Sequence, residues 1–224
     1  MTQPEAPAPL LPGLPLYELP KPPGRLAVQS LFAHPAPLEL EVGSGKGLFL
    51  TSAGVARPAH NILGVEVIKK YAKRGAERIA KAKLPNVAMM KADVRQLWLT
   101  LDGLVELAAV HIYFPDPWWK KRHKKRRVFD ADFVARVSTV LRDGGELHIA
   151  TDVEEYFHTM CAEVAPRPEF VRLHEIPSVV GESEYLTNFE RKYRIEGRPI
   201  YRTAYRLDQS LAIPEPAKPM EAGQ

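Results

Sequence analysis

The chain has 224 residues, 45% hydrophobic and 26% charged, with a net charge of +4 and a pI near 9.1. That composition suits a globular protein with one sizeable core and excludes a collagen-like, low-complexity or wholly disordered chain. The single cysteine, Cys161, excludes an internal disulfide and a cysteine-based metal knuckle, and it fits a reducing compartment.

The opening stretch, MTQPEAPAPLLPGLPLYELPKPPG, is broken by proline throughout, so residues 1–24 are expected to be an extended, flexible segment. It has neither an early basic residue nor an unbroken apolar centre, and no secretory leader is predicted. No later segment approaches the roughly 20 apolar residues of a membrane span. The expected location is the cytoplasm.

Apolar runs and helical patterns then alternate. PLELEV (37–42) predicts a strand ending in the glycine cluster GSGKG, after which LFLTSAGVA begins a helix. NILGVEV (61–67) predicts a second strand, followed by a basic amphipathic helix, KKYAKRGAERIAKAK (69–83). NVAMMKAD (86–93) and LAAVHIYF (107–114) predict two more strands. DADFVARVSTVLRDGG (130–145) predicts a helix with a glycine stop, ELHIAT (146–151) a fifth strand, and another helix begins near Asp152. The final stretch, 211–224, is again rich in proline and is expected to be a flexible tail, leaving 25–210 as one domain. Strand alternating with helix predicts an α/β fold: a mostly parallel central sheet with helices on both faces. Such sheets bind ligands beyond the carboxyl ends of their strands.

The residues with chemical content fall at those ends. The loop Gly43–Gly47 fails as a Walker loop, because Leu40 stands at the earlier glycine position and Gly47 at the hydroxyl position. It also lacks the third glycine of the dinucleotide fingerprint, where Leu48 stands. S-adenosylmethionine suits it better, since its ammonium and sulfonium groups favour carboxylates and it has no phosphate to seat. Glu41 precedes the loop, Gly43 and Gly45 allow close backbone approach, Glu66 can accept ribose hydroxyls, and Asp93 can accept from the adenine amino group. The alternatives are a ligand-free strand–helix turn, and helix caps or surface acids at Glu66 and Asp93.

Charge is distributed in blocks. Seven of the eight residues Lys120–Arg127 are Lys or Arg; taking them from 31 leaves 24 basic against 27 acidic residues, a net-acidic body. This block points to a polyanionic partner, as the 69–83 helix does unless its cationic face is merely solvated. Directly before it, FPDPWW holds Asp116 between two prolines that restrict the backbone. Trp118 and Trp119 either pack in the core or stack on bases. His111, His123 and His148 lack metal-ligand spacing, so structural roles are expected and no metal site is predicted.

The segments LEVGSGKG, GVEV, KAD, FPDPWWKKRHKKRR, ATD and TNFERKYRIEGRPI together resemble the bacterial tRNA (guanine-N7-)-methyltransferase family over about residues 38–200. The resemblance implies a Rossmann-like class I methyltransferase fold, S-adenosylmethionine as donor with S-adenosylhomocysteine as product, and methylation of a guanine N7 in the tRNA variable loop. It implies that Glu41, Glu66, Asp93 and Asp116 meet the donor and that Asp116 also serves the catalytic centre. Lys120, Asp152 and the tetrapeptide Thr187, Asn188, Phe189, Glu190 match positions for the target nucleotide. Arg122, His123, Lys124, Lys125, Arg126 and Arg127 match the RNA-contacting segment. The proline-rich N-terminus and YRTAYRL after Ile200 depart from the family pattern. No obligate protein partner is implied, and both monomer and homodimer stay open.

Guanine N7 carries a lone pair and no proton, so its methylation needs placement rather than a general base. Two other classes stay open on the residues alone. DPWW echoes the D-P-P-[YW] motif of exocyclic-amino methyltransferases, and the basic run would also serve a non-catalytic RNA-binding module.

Overall fold

In the computed structural model, residues 13–19, 26–101, 105–118, 121–174 and 187–213 are described. Among the described residues, eight strands form one sheet: β1 (Leu16–Glu18), β2 (Leu38–Val42), β3 (Asn61–Glu66), β4 (Val87–Lys91), β5 (Leu107–Tyr113), β6 (Leu141–Thr151), β7 (Phe170–Arg172) and β8 (Tyr201–Leu207). Their spatial order is β1-β4-β3-β2-β5-β6-β8-β7. Every pair from β1 to β6 is parallel, and among the described strands only β8 runs antiparallel, against both β6 and β7. The expected mostly parallel α/β architecture is therefore present.

Among the described residues, six α-helices cover this sheet: α1 (Leu48–Ala56), α2 (Lys69–Ala82), α3 (Val94–Thr100), α4 (Ala131–Val140), α5 (Glu154–Val164) and α6 (Asn188–Ile195). One core layer joins Phe49, Leu50 and Ala53 of α1 and Ala72, Ala76 and Ile79 of α2 to Ile62 and Met89 of the sheet. The opposite layer joins Leu40, Leu63, Val110 and Ile149 to Leu97, Phe133, Val137 and Met160 of α3, α4 and α5. Burial on both faces explains why β2, β3 and β5 are buried along their whole length rather than at alternate residues. Each fully buried Leu or Phe contributes about 1.5–3 kcal/mol of transfer free energy, so these two layers dominate the stability.

Two boundaries differ from the sequence expectation. Within the proline-rich N-terminal stretch, Leu16–Glu18 pairs with β4 at the sheet edge, where a strand needs hydrogen bonds on one side only. The helix expected over 130–145 stops at Val140, and Leu141 already pairs with Leu107 before the register slips. The glycines expected as a helix stop instead sit in that irregularity: a Cβ on Gly145 would lie 3.0 Å from the Leu107 carbonyl oxygen. YRTAYRL is β8, the strand that closes against β6. The expected C-terminal tail lies outside the described residues from 214 onward, as do residues 1–12 and 20–25 of the N-terminal segment.

Between β2 and β5 the strand order reverses: β3 and β4 lie on one side of β2, while β5 and β6 lie on the other. In doubly wound sheets the loops at such a reversal diverge and leave a crevice at the carboxyl edge of the sheet.

Candidate active site

The first wall of that crevice is the loop after β2. Gly43 and Gly45 hold φ of +78° and +53°, a region that side chains disfavour, and a Cβ at either would meet nothing within 4 Å. Their backbone thus lines open space. The loop is held from the neighbouring strand by Glu66, whose Oε2 accepts the Gly45 N–H at 2.9 Å while Oε1 accepts the Ile68 N–H at 2.8 Å. Arg78 on α2 adds a further tie, its Nε donating to the Lys46 carbonyl at 3.1 Å.

Beneath the loop, β2 alternates Leu38, Leu40 and Val42 toward one core layer, so Glu39 and Glu41 point to the other. Glu41 is 3% exposed and its Oε2 has no hydrogen-bond partner among the described residues. Burial pushes its carboxyl up to about 8, with a further push from the nearby Glu66 charge. Glu39 is partnered instead: Arg57 lies at 2.7 Å, His60 at 2.6 Å and His111 Nε2 at 2.8 Å. Burial alone would raise its pKa, yet the His111 hydrogen bond and the surrounding cations hold it at about 2. His111 also contacts the Tyr113 hydroxyl at 3.0 Å and stacks on His148, which meets Glu146 at 3.0 Å. This buried polar chain runs across β2, β5 and β6 below the crevice. It gives His111 and His148 structural work, and Glu39 at its centre was not singled out in the sequence. The signal was present: in LELEV, whatever faces Glu41 also faces Glu39.

Asp93 is the N-cap of α3, accepting the Arg95 N–H at 2.8 Å. It stands after β4, two strands from the glycine loop at the same sheet edge.

The second wall is the turn after β5. Phe114 and Trp118 have φ of +52° and +42°, the left-handed region that bulky residues avoid at a cost of about 1–3 kcal/mol each. Asp116 lies between them and is exposed, with no hydrogen bond or ion pair to its carboxylate among the described residues. The turn is anchored at its start by the Phe114 N–H donating to the Ala150 carbonyl at 2.7 Å. The Phe114 ring packs 6.0 Å from Phe189 and 5.5 Å from Tyr193, centroid to centroid.

Those two rings belong to α6, so the turn and the late-chain tetrapeptide are neighbours. Thr187 caps the helix, its Oγ1 accepting the Glu190 N–H at 2.9 Å. Asn188 is exposed and Phe189 is 52% exposed. Glu190 is fully buried: Oε1 accepts from Arg194 and Arg202, each at 2.6 Å, while Oε2 lacks a partner among the described residues. Asp152 pairs with Arg198, whose guanidinium lies 4.1 Å over the Tyr193 ring. The ends of β5 and β6 and the start of α6 therefore converge on one region.

The basic run forms a short 3₁₀ helix, Lys121–Arg126. Arg122 is exposed; His123 meets the Trp118 ring edge-on at 5.7 Å, and Arg126 is exposed with its guanidinium 5.1 Å over that ring. The side chains of Lys124 and Lys125, and all of Trp119 and Lys120, lie outside the described residues. Arg127 points inward: its Nε donates to the Pro117 carbonyl at 2.7 Å and its guanidinium lies 5.0 Å over the Tyr156 ring. The α2 helix carries an exposed cationic face of Lys69, Lys70, Lys73, Arg74 and Arg78, with Glu77 paired to Lys73 at 3.7 Å. Among the described residues, no group of three His, Cys, Asp or Glu is placed to hold a metal, and no helix is long and apolar enough to cross a membrane.

A family model described as "Putative methyltransferase" matches residues 35–203. A tRNA (guanine-N(7)-)-methyltransferase of Rhodopirellula baltica is 43% identical over 196 residues, covering 82% of this chain and 71% of the relative. One of Geobacillus thermodenitrificans is 30% identical over 194 residues, covering 84% and 88%. Among solved structures, the 16S rRNA methyltransferase KamB superposes with a TM-score of 0.56 at 15% identity over 77% of this chain and 88% of its own. The aminoglycoside resistance methyltransferase NpmB1 gives 0.54 at 18% identity, covering 76% and 87%. At such identities the two structures establish the fold alone.

Proposed function

Because the chain belongs to the tRNA (guanine-N7)-methyltransferase family, we propose that it transfers a methyl group from S-adenosylmethionine to N7 of a guanine in tRNA. The observation that carries this reading is the juxtaposition at the strand-order reversal. A glycine loop over a buried carboxyl, whose Oε2 lacks a partner among the described residues, forms one wall, and an exposed carboxylate on a strained turn forms the other.

The residues fit the donor. The open backbone at Gly43 and Gly45 admits a ligand, and Glu41 offers a buried acceptor without a partner among the described residues. The donor's ammonium would supply that carboxyl with the cation it lacks. Glu66 would accept the ribose hydroxyls on the lone pairs its two backbone bonds leave free, and Asp93 would receive the adenine amino group at the rim. Bound there, S-adenosylmethionine supplies an electrophilic sulfonium methyl.

The remaining work belongs to placement. N7 needs no deprotonation, and holding it in line with the methyl supplies about 7–11 kcal/mol of the barrier reduction. Asp116 accepts from the guanine N1–H and amino group and stabilises the positive charge that develops on the base. Pro115 and Pro117 restrict its backbone before substrate arrives, so less reorganisation is left for the reaction. Asp152, Asn188 and Phe189 frame the base from the other side, the exposed Phe189 ring offering a stacking surface, while Thr187, capping α6, and Glu190, buried against Arg194 and Arg202, fix the start of that helix. Lys120 belongs to the same substrate-binding set, outside the described residues. Arg122, His123, Lys124, Lys125 and Arg126 hold phosphates, which positions the RNA without reading its sequence.

Incubating the purified protein with labelled donor and bulk tRNA tests the reading. Transfer that saturates in both substrates supports it; saturable RNA binding with no donor binding by calorimetry would instead make the chain an RNA-binding module.

A further inference from the structure

The turn that carries Asp116 does not support itself. Phe114 and Trp118 on either side of it are held in the left-handed backbone region, so surrounding contacts must fix it. Its first half is tied to β6 through Phe114 and Ala150. Its second half is tied by Arg127, ten residues on, whose Nε–H donates to the Pro117 carbonyl at 2.7 Å, next to Asp116 in the chain.

Arg127 is itself immobilised. Its guanidinium lies 5.0 Å over the ring of Tyr156, a fully buried residue of α5. Its own carbonyl accepts from Arg95 Nη2 at 2.8 Å, and the same nitrogen pairs with Asp130, the N-cap of α4, at 2.9 Å. Helices α3, α4 and α5 thus converge on one arginine, and that arginine reaches the catalytic turn. Its neighbours Arg122 and Arg126 are exposed, whereas Arg127 is half-buried.

We propose that Arg127 is a positioning residue for Asp116: it clamps the turn from within, and the phosphate-binding part of the basic run ends at Arg126. The inference rests on the methyltransferase reading above. The arginine's work is a neutral one, an N–H delivered to a carbonyl, so it needs a donor at the Nε position more than it needs charge. A phosphate contact has the opposite requirement.

Three variants separate the two. In Arg127→Gln the amide nitrogen occupies the Nε position and can still donate to Pro117, without charge; Arg127→Lys keeps charge without that donor; Arg127→Ala keeps neither. Single-turnover methylation at saturating tRNA and donor, tRNA dissociation constants across a salt series, and thermal unfolding are measured for each, with Arg122→Ala as the phosphate-contact comparator. The clamp predicts that Ala lowers the saturating rate by about ten- to a hundredfold, since small misplacements at the reacting centre have that effect. It predicts that Gln recovers more of the rate than Lys, and that the tRNA salt slope matches wild type in all three, while Arg122→Ala flattens it.

A rate at saturation equal to wild type, with weaker binding, a flatter slope and rescue by Lys rather than Gln, would overturn the clamp. So would a fall in melting temperature with an unchanged rate per folded molecule. If Ala does not fold, the comparison of Gln with Lys decides alone. A wild type that binds tRNA but transfers no methyl would sink the functional reading and the clamp with it; an active wild type with the wrong pattern among the variants sinks the clamp only.

Discussion

Glu66 holds Gly45: the carboxylate at the end of β3 accepts the backbone N–H of the loop after β2 at 2.9 Å, and its second oxygen accepts the Ile68 N–H at 2.8 Å. One side chain therefore sets the distance between the two loops that would enclose the donor. Hydrogen bonds to a charged acceptor contribute about 1.5–3 kcal/mol each. Glu66→Ala removes both, and the donor dissociation constant is expected to rise at least tenfold by calorimetry. Glu66→Gln keeps one acceptor oxygen and should fall between. Unaltered donor binding in Glu66→Ala would contradict the tether and the ribose assignment together.

Glu41 predicts proton-linked donor binding. With its pKa raised to about 8 by burial, the carboxyl is protonated in the free protein at neutral pH. An ammonium beside it favours the ionised form, so donor binding should release a proton and tighten as pH rises from 6 to 8. Calorimetry in two buffers of different ionisation enthalpy measures that proton directly. The same shift makes the free protein less stable as pH climbs from the ordinary carboxylate range toward 8, because the unfolded chain ionises freely there and the fold does not. Glu41→Gln should abolish both effects; proton release persisting in that variant would exclude Glu41 as its source.

Much of this site was legible because parallel strands end at their ligands. The apolar runs of β2 to β5 stop at Gly43, Glu66, Asp93 and Phe114, and their chain order alone placed these at one sheet edge. Short or charged elements gave no comparable signal. β7 has three residues, α3 has seven, too few to show a helical period, and α6 carries four charges in its eight residues NFERKYRI. The Glu39 chain was hidden for another reason: its members are 21 and 72 residues apart and meet only when β2 and β5 pair. Arg127 looked like its neighbours in composition, and only the backbone path turns it inward.

Glu39 predicts a stability cost unrelated to substrate. Glu39→Ala leaves Arg57 and His111 without their buried carboxylate, and losing one partner of such a cluster costs about 3–5 kcal/mol. The melting temperature should fall sharply while residual folded protein still binds donor. Two pH windows follow in the wild type. Glu39 is held at about 2, so its contribution is present above the ordinary carboxylate range and is lost as pH falls toward 2. Burial lowers His111 to about 4, so the unfolded chain takes up a proton first and stability falls as pH drops from about 6.5 to 4. Thermal unfolding across pH 3–8 in the Glu41→Gln background, where the opposing Glu41 effect is absent, checks both, and a flat profile there would contradict them.

The exposed end of the basic run predicts salt-sensitive tRNA binding. Arg122→Ala and Arg126→Ala should each weaken affinity and lower the slope of log K against log salt by about 0.7–0.9, the increment for one phosphate contact. Arg126 also covers the Trp118 ring, so its variant should add a modest loss in rate. Slopes equal to wild type in both would remove the phosphate role.

The position of the transferred methyl group separates guanine N7 chemistry from exocyclic-amino chemistry. Wild type and Asp116→Ala are each incubated with labelled donor and tRNA, and the tRNA is then digested to nucleosides and separated. Wild type is expected to place the label in 7-methylguanosine alone. Asp116→Ala is expected to transfer roughly a hundredfold more slowly, with tRNA affinity within about twofold of wild type, as when one preorganised electrostatic contact is lost. Label in an exocyclic N-methyl nucleoside, or undiminished transfer without Asp116, would contradict it.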